Sequence, residues 1–285
     1  MPRISVGKEN AGSIELHYED HGAGKPVVLI HGWPLSGKSW EKQTIALVAA
    51  GYRVITYDRR GFGESSKPWS GYDYDTLASD LDHLLAKLDL REAALVGFSM
   101  GGGEVARLPA KFGTKRVSRL AFVSAVTPCL LQSADNPEGV DLAVFDSIRA
   151  GLAADRYAFL AGFLANFFNF DVLGGTRVSD ELVRASWHVG VSSSPKAMYD
   201  CVAAWGTDFR ADLAGIALPT LVVHGDADRI VPAEVSGRRT HVLVKGSRYV
   251  EIPGAPHGLN WTHAEELNKA LLEFLAAPVE SSALR

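Results

Sequence analysis

Nine residues constrain this chain more than any others. Leu95 to Gly103 reads Leu-Val-Gly-Phe-Ser-Met-Gly-Gly-Gly. An apolar run closes at Leu95 and Val96, Gly97 and Gly101 stand two positions either side of Ser99, and a helix-forming stretch opens at Glu104. A Gly-x-Ser-x-Gly between a strand and a helix makes a turn so sharp that its central residue is driven into strained backbone. A side chain two positions away on either side would collide with that residue, and glycine relieves the clash. The turn lifts the Ser99 hydroxyl above the sheet edge, at a helix N-terminus whose free N–H groups can meet a developing oxyanion. Taken alone, the same letters also fit an ordinary glycine-rich turn, so the rest of the chain has to decide.

The surrounding chain alternates short apolar runs with amphipathic stretches. Ile4 to Val6 and Ile14 to Tyr18, with turn residues at Asn10 to Ser13 between them, predict an N-terminal hairpin. Strands are expected at Val27 to Ile30, Arg53 to Tyr57, Ala93 to Phe98 and Leu120 to Val126, and helices from Ser36 to Ala50, Tyr74 to Leu90 and from the elbow toward Phe112. Leu77, Leu81, Leu84, Leu85 and Leu88 carry the helical spacing of the second of these. Such alternation implies a mainly parallel sheet covered on both faces. It breaks after Val126. Between Thr127 and Leu213 no strand is evident, and helices are expected at Leu142 to Ile148, Arg156 to Asn169, Glu181 to Trp187 and Lys196 to Trp205. The segment is rich in rings (Phe159, Phe163, Phe167, Phe168, Phe170), most of them packing its own core and some facing a pocket beneath. Strands resume at Thr220 to Val223 and Tyr249 to Ile252, with helices at Ala233 to Arg239 and Ala264 to Phe274, and a frayed tail from Pro278. The organisation expected is therefore an α/β core from 1–126 and 214–285, with 127–213 inserted as a helical cap after strand 6.

Composition narrows the function. A net charge of −4 offers no broad attraction for nucleic acid or an anionic membrane, so neither is expected as a partner. A chain of 285 residues buries ~75% of its extended surface and needs no covalent staple. Its two cysteines, Cys129 and Cys201, lack the paired spacing of a zinc or redox motif and read as reduced thiols. The N-terminal stretch has no signal-peptide core and no apolar run approaches membrane-spanning length, which makes a cytoplasmic location the expectation.

A serine hydroxyl needs a base within hydrogen-bond reach, itself oriented by a carboxylate. Of nine histidines, His257 stands in Gly-Ala-Pro-His-Gly after the last strand, where the carboxyl ends of parallel strands gather ligands. His31, His224 and His263 are its rivals. For the acid, His224-Gly-Asp-Ala-Asp-Arg-Ile-Val-Pro232 offers Asp226 and Asp228. The first is placed to satisfy backbone N–H groups in its own turn, which leaves Asp228; Asp58 precedes Ser99 in the chain and reads as a loop residue. The order Ser, acid, His then follows that of an elbow-bearing fold. Oxyanion donors are expected in the backbone N–H groups of Met100 and Trp33, the latter in the loop after the Val27 to Ile30 strand. Trp33, Ile230, Phe163 and Phe167 are the expected substrate-pocket residues.

His-Gly-Trp-Pro-Leu-Ser-Gly at 31–37, Tyr-Asp-Arg-Arg-Gly-Phe-Gly-Glu-Ser at 57–65, Gly-Phe-Ser-Met-Gly-Gly-Gly-Glu-Val-Ala-Arg at 97–107 and Gly-Ala-Pro-His-Gly-Leu at 254–259 together resemble the α/β-hydrolase superfamily. Within it they resemble the bacterial cofactor-free haloperoxidase (non-haem chloroperoxidase and bromoperoxidase) and aryl esterase group. The resemblance covers nearly the whole chain. It implies an α/β-hydrolase fold, with a mostly parallel eight-stranded sheet flanked by helices, and a triad of Ser99, Asp228 and His257 with no metal and no cofactor. It also implies hydrolysis of small carboxylic esters and perhydrolysis of short carboxylic acids by hydrogen peroxide, the released peracid oxidising halide, in a homo-oligomer of three or more subunits. Lactone, lactam or carbon–carbon bond hydrolysis on the same scaffold is the alternative chemistry, and a slow-turnover small-molecule receptor the alternative of another class. Haloalkane dehalogenases and epoxide hydrolases place Asp where this chain has Ser99. One departure stands out: Pro109 lies in the helix after the elbow, where its missing N–H and ring clash predict a kink.

Overall fold

Eight strands form the centre: β1 (Arg3–Glu9), β2 (Gly12–His21), β3 (Pro26–Ile30), β4 (Arg53–Tyr57), β5 (Ala93–Phe98), β6 (Val117–Val123), β7 (Thr220–Gly225) and β8 (Arg248–Ile252). This computed structural model describes residues 2–278, so the tail expected to fray lies outside the described residues from 279 onward. The strands run in the order β1-β2-β4-β3-β5-β6-β7-β8. β1 and β2 are antiparallel to each other and β2 to β4; every pairing from β4 to β8 is parallel. The central strands read as continuous apolar runs because both faces are covered. Successive side chains serve opposite faces: Val28 and Ile30 of β3 join Leu77, Leu81 and Leu84 in one core, whereas Val27 and Leu29 join Leu47, Leu267 and Leu271 in the other.

The covering helices are α1 (Glu41–Ala49), α2 (Tyr74–Lys87), α3 (Gly101–Phe112), α4 (Leu142–Phe167), α5 (Phe170–Leu173), α6 (Asp180–Ser192), α7 (Pro195–Ala204), α8 (Arg210–Ala214), α9 (Gly237–Leu243), α10 (Leu259–Thr262) and α11 (Ala264–Ala276). Helices α4 to α8 occupy the interval between β6 and β7. Caps fix several starts: the side chains of Asp73, Ser179 and Ser194 accept from the N–H groups of Thr76, Leu182 and Ala197.

The structure corrects several boundaries. The sixth strand spans Val117–Val123 rather than Leu120 to Val126, because Ser124 at φ +43° turns the chain off the sheet. Ala125 and Val126 are apolar for a different reason: Ala125 abuts Gly102 and Val126 lines the cavity above Ser99. The gap expected between two helices at 142–148 and 156–169 shrinks to one residue. Asp155 (φ −154°, ψ 92°) breaks an otherwise continuous α4, and its carboxylate accepts from Tyr157 N–H and Ala158 N–H to start the second half. Helix α9 begins at Gly237, not Ala233, because Ser236 (φ −129°, ψ −85°) is non-helical. Helix α1 is preceded by a 3-10 turn over Gly37–Trp40, and α2 ends at Lys87, just before Asp89 at φ +45°. One-turn helices such as α5, α8 and α10 were not expected, being too short to show a period. Pro109 does not break α3, which continues past it to Phe112; the proline sits in the last turn, two turns away from the elbow. Both cysteines are free and buried. Among the described residues no helix is long and apolar enough to cross a membrane.

Candidate active site

Ser99 sits between β5 and α3 at φ +53°, the left-handed conformation a side chain rarely adopts. Glycine is required on both sides by close approach. A Cβ on Gly97 would come 2.5 Å from the carbonyl oxygen of Gly101, and one on Gly101 2.5 Å from that of Ile30 in β3. The turn is tied down by the Ser99 carbonyl, which accepts from Gly102 N–H at 3.0 Å and Val126 N–H at 3.2 Å.

The loop after β7 presents Asp228 and the loop after β8 presents His257. The structure brings both to Ser99. His257 Nε2 lies 2.9 Å from Ser99 Oγ and His257 Nδ1 lies 2.7 Å from Asp228 Oδ2. With the imidazole proton on Nδ1, where the carboxylate draws it, Nε2 is free to accept from the serine hydroxyl. Asp228 is itself held: Oδ1 accepts from Ile230 N–H at 2.9 Å and Val231 N–H at 2.8 Å. A second imidazole, that of His224, brings its Nε2 to 3.3 Å from Oδ2 while donating to the Val231 carbonyl at 2.8 Å. Phe98 and Phe167 flank the His257 ring, with centroids at 5.1 and 4.9 Å.

Burial alone would raise the Asp228 carboxyl. The neighbouring His257, with hydrogen bonds from His224 and His257, outweighs it and holds the carboxyl well below the usual carboxylate range. A carboxyl depressed in the folded state contributes stability that is present above its unfolded value, ~4, and lost as pH falls toward the folded one. The stability gap between the wild type and Asp228→Asn, measured by urea unfolding, is therefore expected to stay level from pH 6 to ~4 and to narrow as pH is lowered further, from ~4 toward ~2. A gap that stays constant over that last interval contradicts the assignment.

The rivals are occupied elsewhere. His31 is fully buried; desolvation, then the Arg59 charge, keep its imidazole neutral. Its Nδ1–H donates to the Gly32 carbonyl at 2.8 Å and its Nε2 accepts from Arg59 N–H at 2.9 Å. His263 stands at the residue before α11, and its Nδ1 meets Thr262 Oγ1 at 2.9 Å. Asp58 accepts from Gly37 N–H and Glu64 N–H, both at 2.8 Å. Asp226 departs from expectation: it serves not its own turn but Gly254 N–H at 2.6 Å, in the loop that leads to His257.

The backbone N–H groups of Trp33 and Met100 are buried, these residues being 2% and 1% exposed. Among the described residues neither donates to a protein acceptor, a rare condition for a buried amide. The Trp33 loop lies directly on the elbow, since a Cβ on Gly32 would fall 2.9 Å from that of Ser99. Above Ser99 and His257 is a narrow cavity, about 50 Å³ measured as the space open to water centres, room for a few waters or a short acyl group. Trp33, Phe163 and Ile230 line it. Phe167 does not: its ring is fully buried against Phe98 and His257, behind the cavity. Its place is taken by Trp205, whose ring meets Trp33 edge-on with centroids 5.0 Å apart, and by Val126, Leu130 and Phe145. Nothing local in the sequence marks Trp205 as a wall residue, because it is brought in by the end of α7, just past Ala204. The arrangement can deprotonate an alcohol at a buried, largely apolar site and offer two amides to the oxygen that gains charge. Among the described residues no group of three or more His, Cys, Asp or Glu side chains is arranged to hold a metal ion.

Comparison with known proteins adds a family. A model described as alpha/beta hydrolase fold matches residues 25–264. The chain is 55% identical over 275 residues to a putative non-heme chloroperoxidase of Synechocystis, covering 96% of this chain and all of that one. It is 37% identical to a bifunctional esterase/perhydrolase of Acinetobacter calcoaceticus, with 92% and 96% covered. The crystal structure of a bromoperoxidase from Bacillus anthracis superimposes with a TM-score of 0.92 at 51% identity, covering 97% of this chain and 99% of that one.

Proposed function

We propose, from the premise that the chain belongs to the α/β-hydrolase family, that it cleaves small carboxylic esters through Ser99, His257 and Asp228 and forms peracids from short carboxylic acids and hydrogen peroxide. That it is an enzyme of the haloperoxidase and esterase kind follows from its relatives. The observation that carries the finer reading is the unbroken run from Asp228 Oδ2 through His257 to Ser99 Oγ, beside two buried amides without partners.

Ser99 Oγ attacks the ester carbonyl while His257 Nε2 takes its proton. The carbonyl oxygen becomes an oxyanion held by Trp33 N–H and Met100 N–H, and Asp228 stabilises the imidazolium. His257 returns the proton to the departing alcohol, leaving an acyl group on Ser99. Water attacks that acyl carbon, gives its proton to His257, and the carboxylic acid leaves as Ser99 recovers the proton. With a free short acid in place of the ester, the first leaving group is water. When hydrogen peroxide rather than water resolves the acyl-enzyme, the product is the peracid, which oxidises halide to hypohalous acid in solution and reverts to the carboxylic acid. In this reading residues 127–213 act as a cap over the core of 1–126 and 214–285, and Phe163 of α4 and Trp205 close the cavity from above and shed water from it.

Bromination at fixed peroxide and bromide is expected to require acetate or another short acid, and to fall to the enzyme-free background without it. Bromination at full rate in an acid-free buffer would instead place a direct oxidant at the site and remove the peracid from the scheme.

A further inference from the structure

Arg59 and Glu104 lie beneath the reacting atoms and play no part in the steps above. They are 1% and 0% exposed, and a buried ion pair is weak evidence of stabilisation, since apolar residues in its place are often as stable. What the pair does is join two pieces of backbone. Arg59 Nε donates to Glu104 Oε1 at 2.7 Å, with Nη2 at 2.5 Å from the same oxygen, and the Tyr57 hydroxyl donates to Glu104 Oε2. Arg59 Nη2 also donates to the His31 carbonyl at 2.7 Å, and Arg59 N–H donates to His31 Nε2 at 2.9 Å. His31 Nδ1–H then donates to the Gly32 carbonyl at 2.8 Å. That carbonyl and the Trp33 N–H are opposite ends of one planar peptide, so holding the first aims the second. Glu104 belongs to the first turn of α3, the helix that Met100 caps, and the Met100 carbonyl accepts from the Tyr74 hydroxyl at 3.0 Å. The buried hydrogen bonds from the Gly32 carbonyl through His31 and Arg59 to Glu104 thus tie the loop bearing one unpaired amide to the helix that begins just after the other.

We infer that Arg59, anchored on Glu104, is a positioning residue that sets the spacing and angle of the two oxyanion amides; the inference rests on Trp33 N–H and Met100 N–H being the oxyanion donors. Arg59 suits the task because its rigid planar fork reaches the carboxylate and the carbonyl from separate nitrogens at a fixed angle, whereas lysine would have to serve both from one nitrogen on a flexible stem.

The test compares Arg59→Lys, which keeps the charge, and Tyr57→Phe, which removes one hydrogen bond from Glu104 and is the variant to rely on if Arg59→Lys does not fold. Each is assayed for kcat and KM on p-nitrophenyl acetate, per site titrated to completion with a fluorophosphonate, and for the Kd of a phenylboronic acid whose tetrahedral serine adduct presents an oxygen to the same amides. Expected is a kcat about 30-fold lower for Arg59→Lys and about threefold lower for Tyr57→Phe, less than the loss of a whole oxyanion donor. KM should stay within about twofold and boronate affinity should fall in step with kcat. A lower melting temperature with kcat per titrated site and boronate Kd unchanged in the folded variants overturns the proposal and leaves Arg59 a packing residue. Ser99→Ala, assayed for p-nitrophenyl acetate turnover per mole of folded protein, separates the two failures: if it still turns over, the triad reading is what falls; if it is dead while the Arg59 and Tyr57 variants match the wild type, only the positioning role falls.

Discussion

Ser99→Ala is expected to lower kcat for p-nitrophenyl acetate by roughly 10⁴-fold or more while the protein stays folded. The size follows from what is removed. Oγ is the atom 2.9 Å from His257 Nε2, and without it no acyl-enzyme forms; what remains is the slow attack of water assisted by the two amides. Folding should survive, because alanine keeps the Cβ that serine already carries at φ +53° and loses only a hydroxyl. Circular dichroism and the urea midpoint check the fold; steady-state kinetics check the rate. A folded variant retaining more than about 1% of kcat would assign the chemistry to another group.

Asp228→Asn is expected to cost ~10⁴ in kcat with little change in KM, and the structure supplies the reason. Oδ1 is committed to the N–H groups of Ile230 and Val231, so the carboxamide oxygen of an asparagine must take that position. Its NH₂ is then turned onto His257 Nδ1, where Oδ2 stood at 2.7 Å. A donor facing Nδ1 drives the imidazole proton to Nε2, the nitrogen that has to accept from Ser99. Rotating the amide the other way breaks two backbone hydrogen bonds and leaves buried N–H groups unpaired. Asp226→Asn is the control: its Oδ1 accepts from Gly254 N–H at 2.6 Å, which an asparagine oxygen does as well, so kcat should change by less than about threefold. A larger loss in Asp226→Asn than in Asp228→Asn would exchange the two carboxylates.

The two substitutions differ in how readable their basis is. Ser99 announces itself in nine consecutive letters, because the elbow is a local object: the glycines at 97 and 101 are demanded by atoms within a few residues of the turn or on the adjoining strand. Sequence separates Asp228 from Asp226 only by assigning Asp226 to N–H groups of its own turn, and the structure gives it Gly254 N–H in a different loop instead; chain order sets aside Asp58 but not Asp226. The same contrast appears in the fold. Strands β3, β4 and β5 were legible because unbroken apolar runs mark a sheet covered on both faces. The end of β6 was not, because Ala125 and Val126 are apolar in order to meet Gly102 and line the cavity, and apolarity does not say against what a residue packs.

From its letters alone this chain declares a parallel α/β sheet, a strained serine at the carboxyl end of a central strand, and an acid and a histidine that follow it in order. The sheet and the elbow are matters of backbone geometry and periodicity settled over a few neighbouring residues, and the acid and histidine follow from the chain order that such an elbow carries. Tertiary structure alone decided which rings wall the cavity, packing Phe167 edge-on against His257 and bringing Trp205, just past the end of α7, against Trp33. It alone paired Arg59 with Glu104 beneath the elbow. Those outcomes depend on how each helix is rotated and seated on the sheet, which is the sum of many weak contacts between distant residues, and no local pattern encodes that sum.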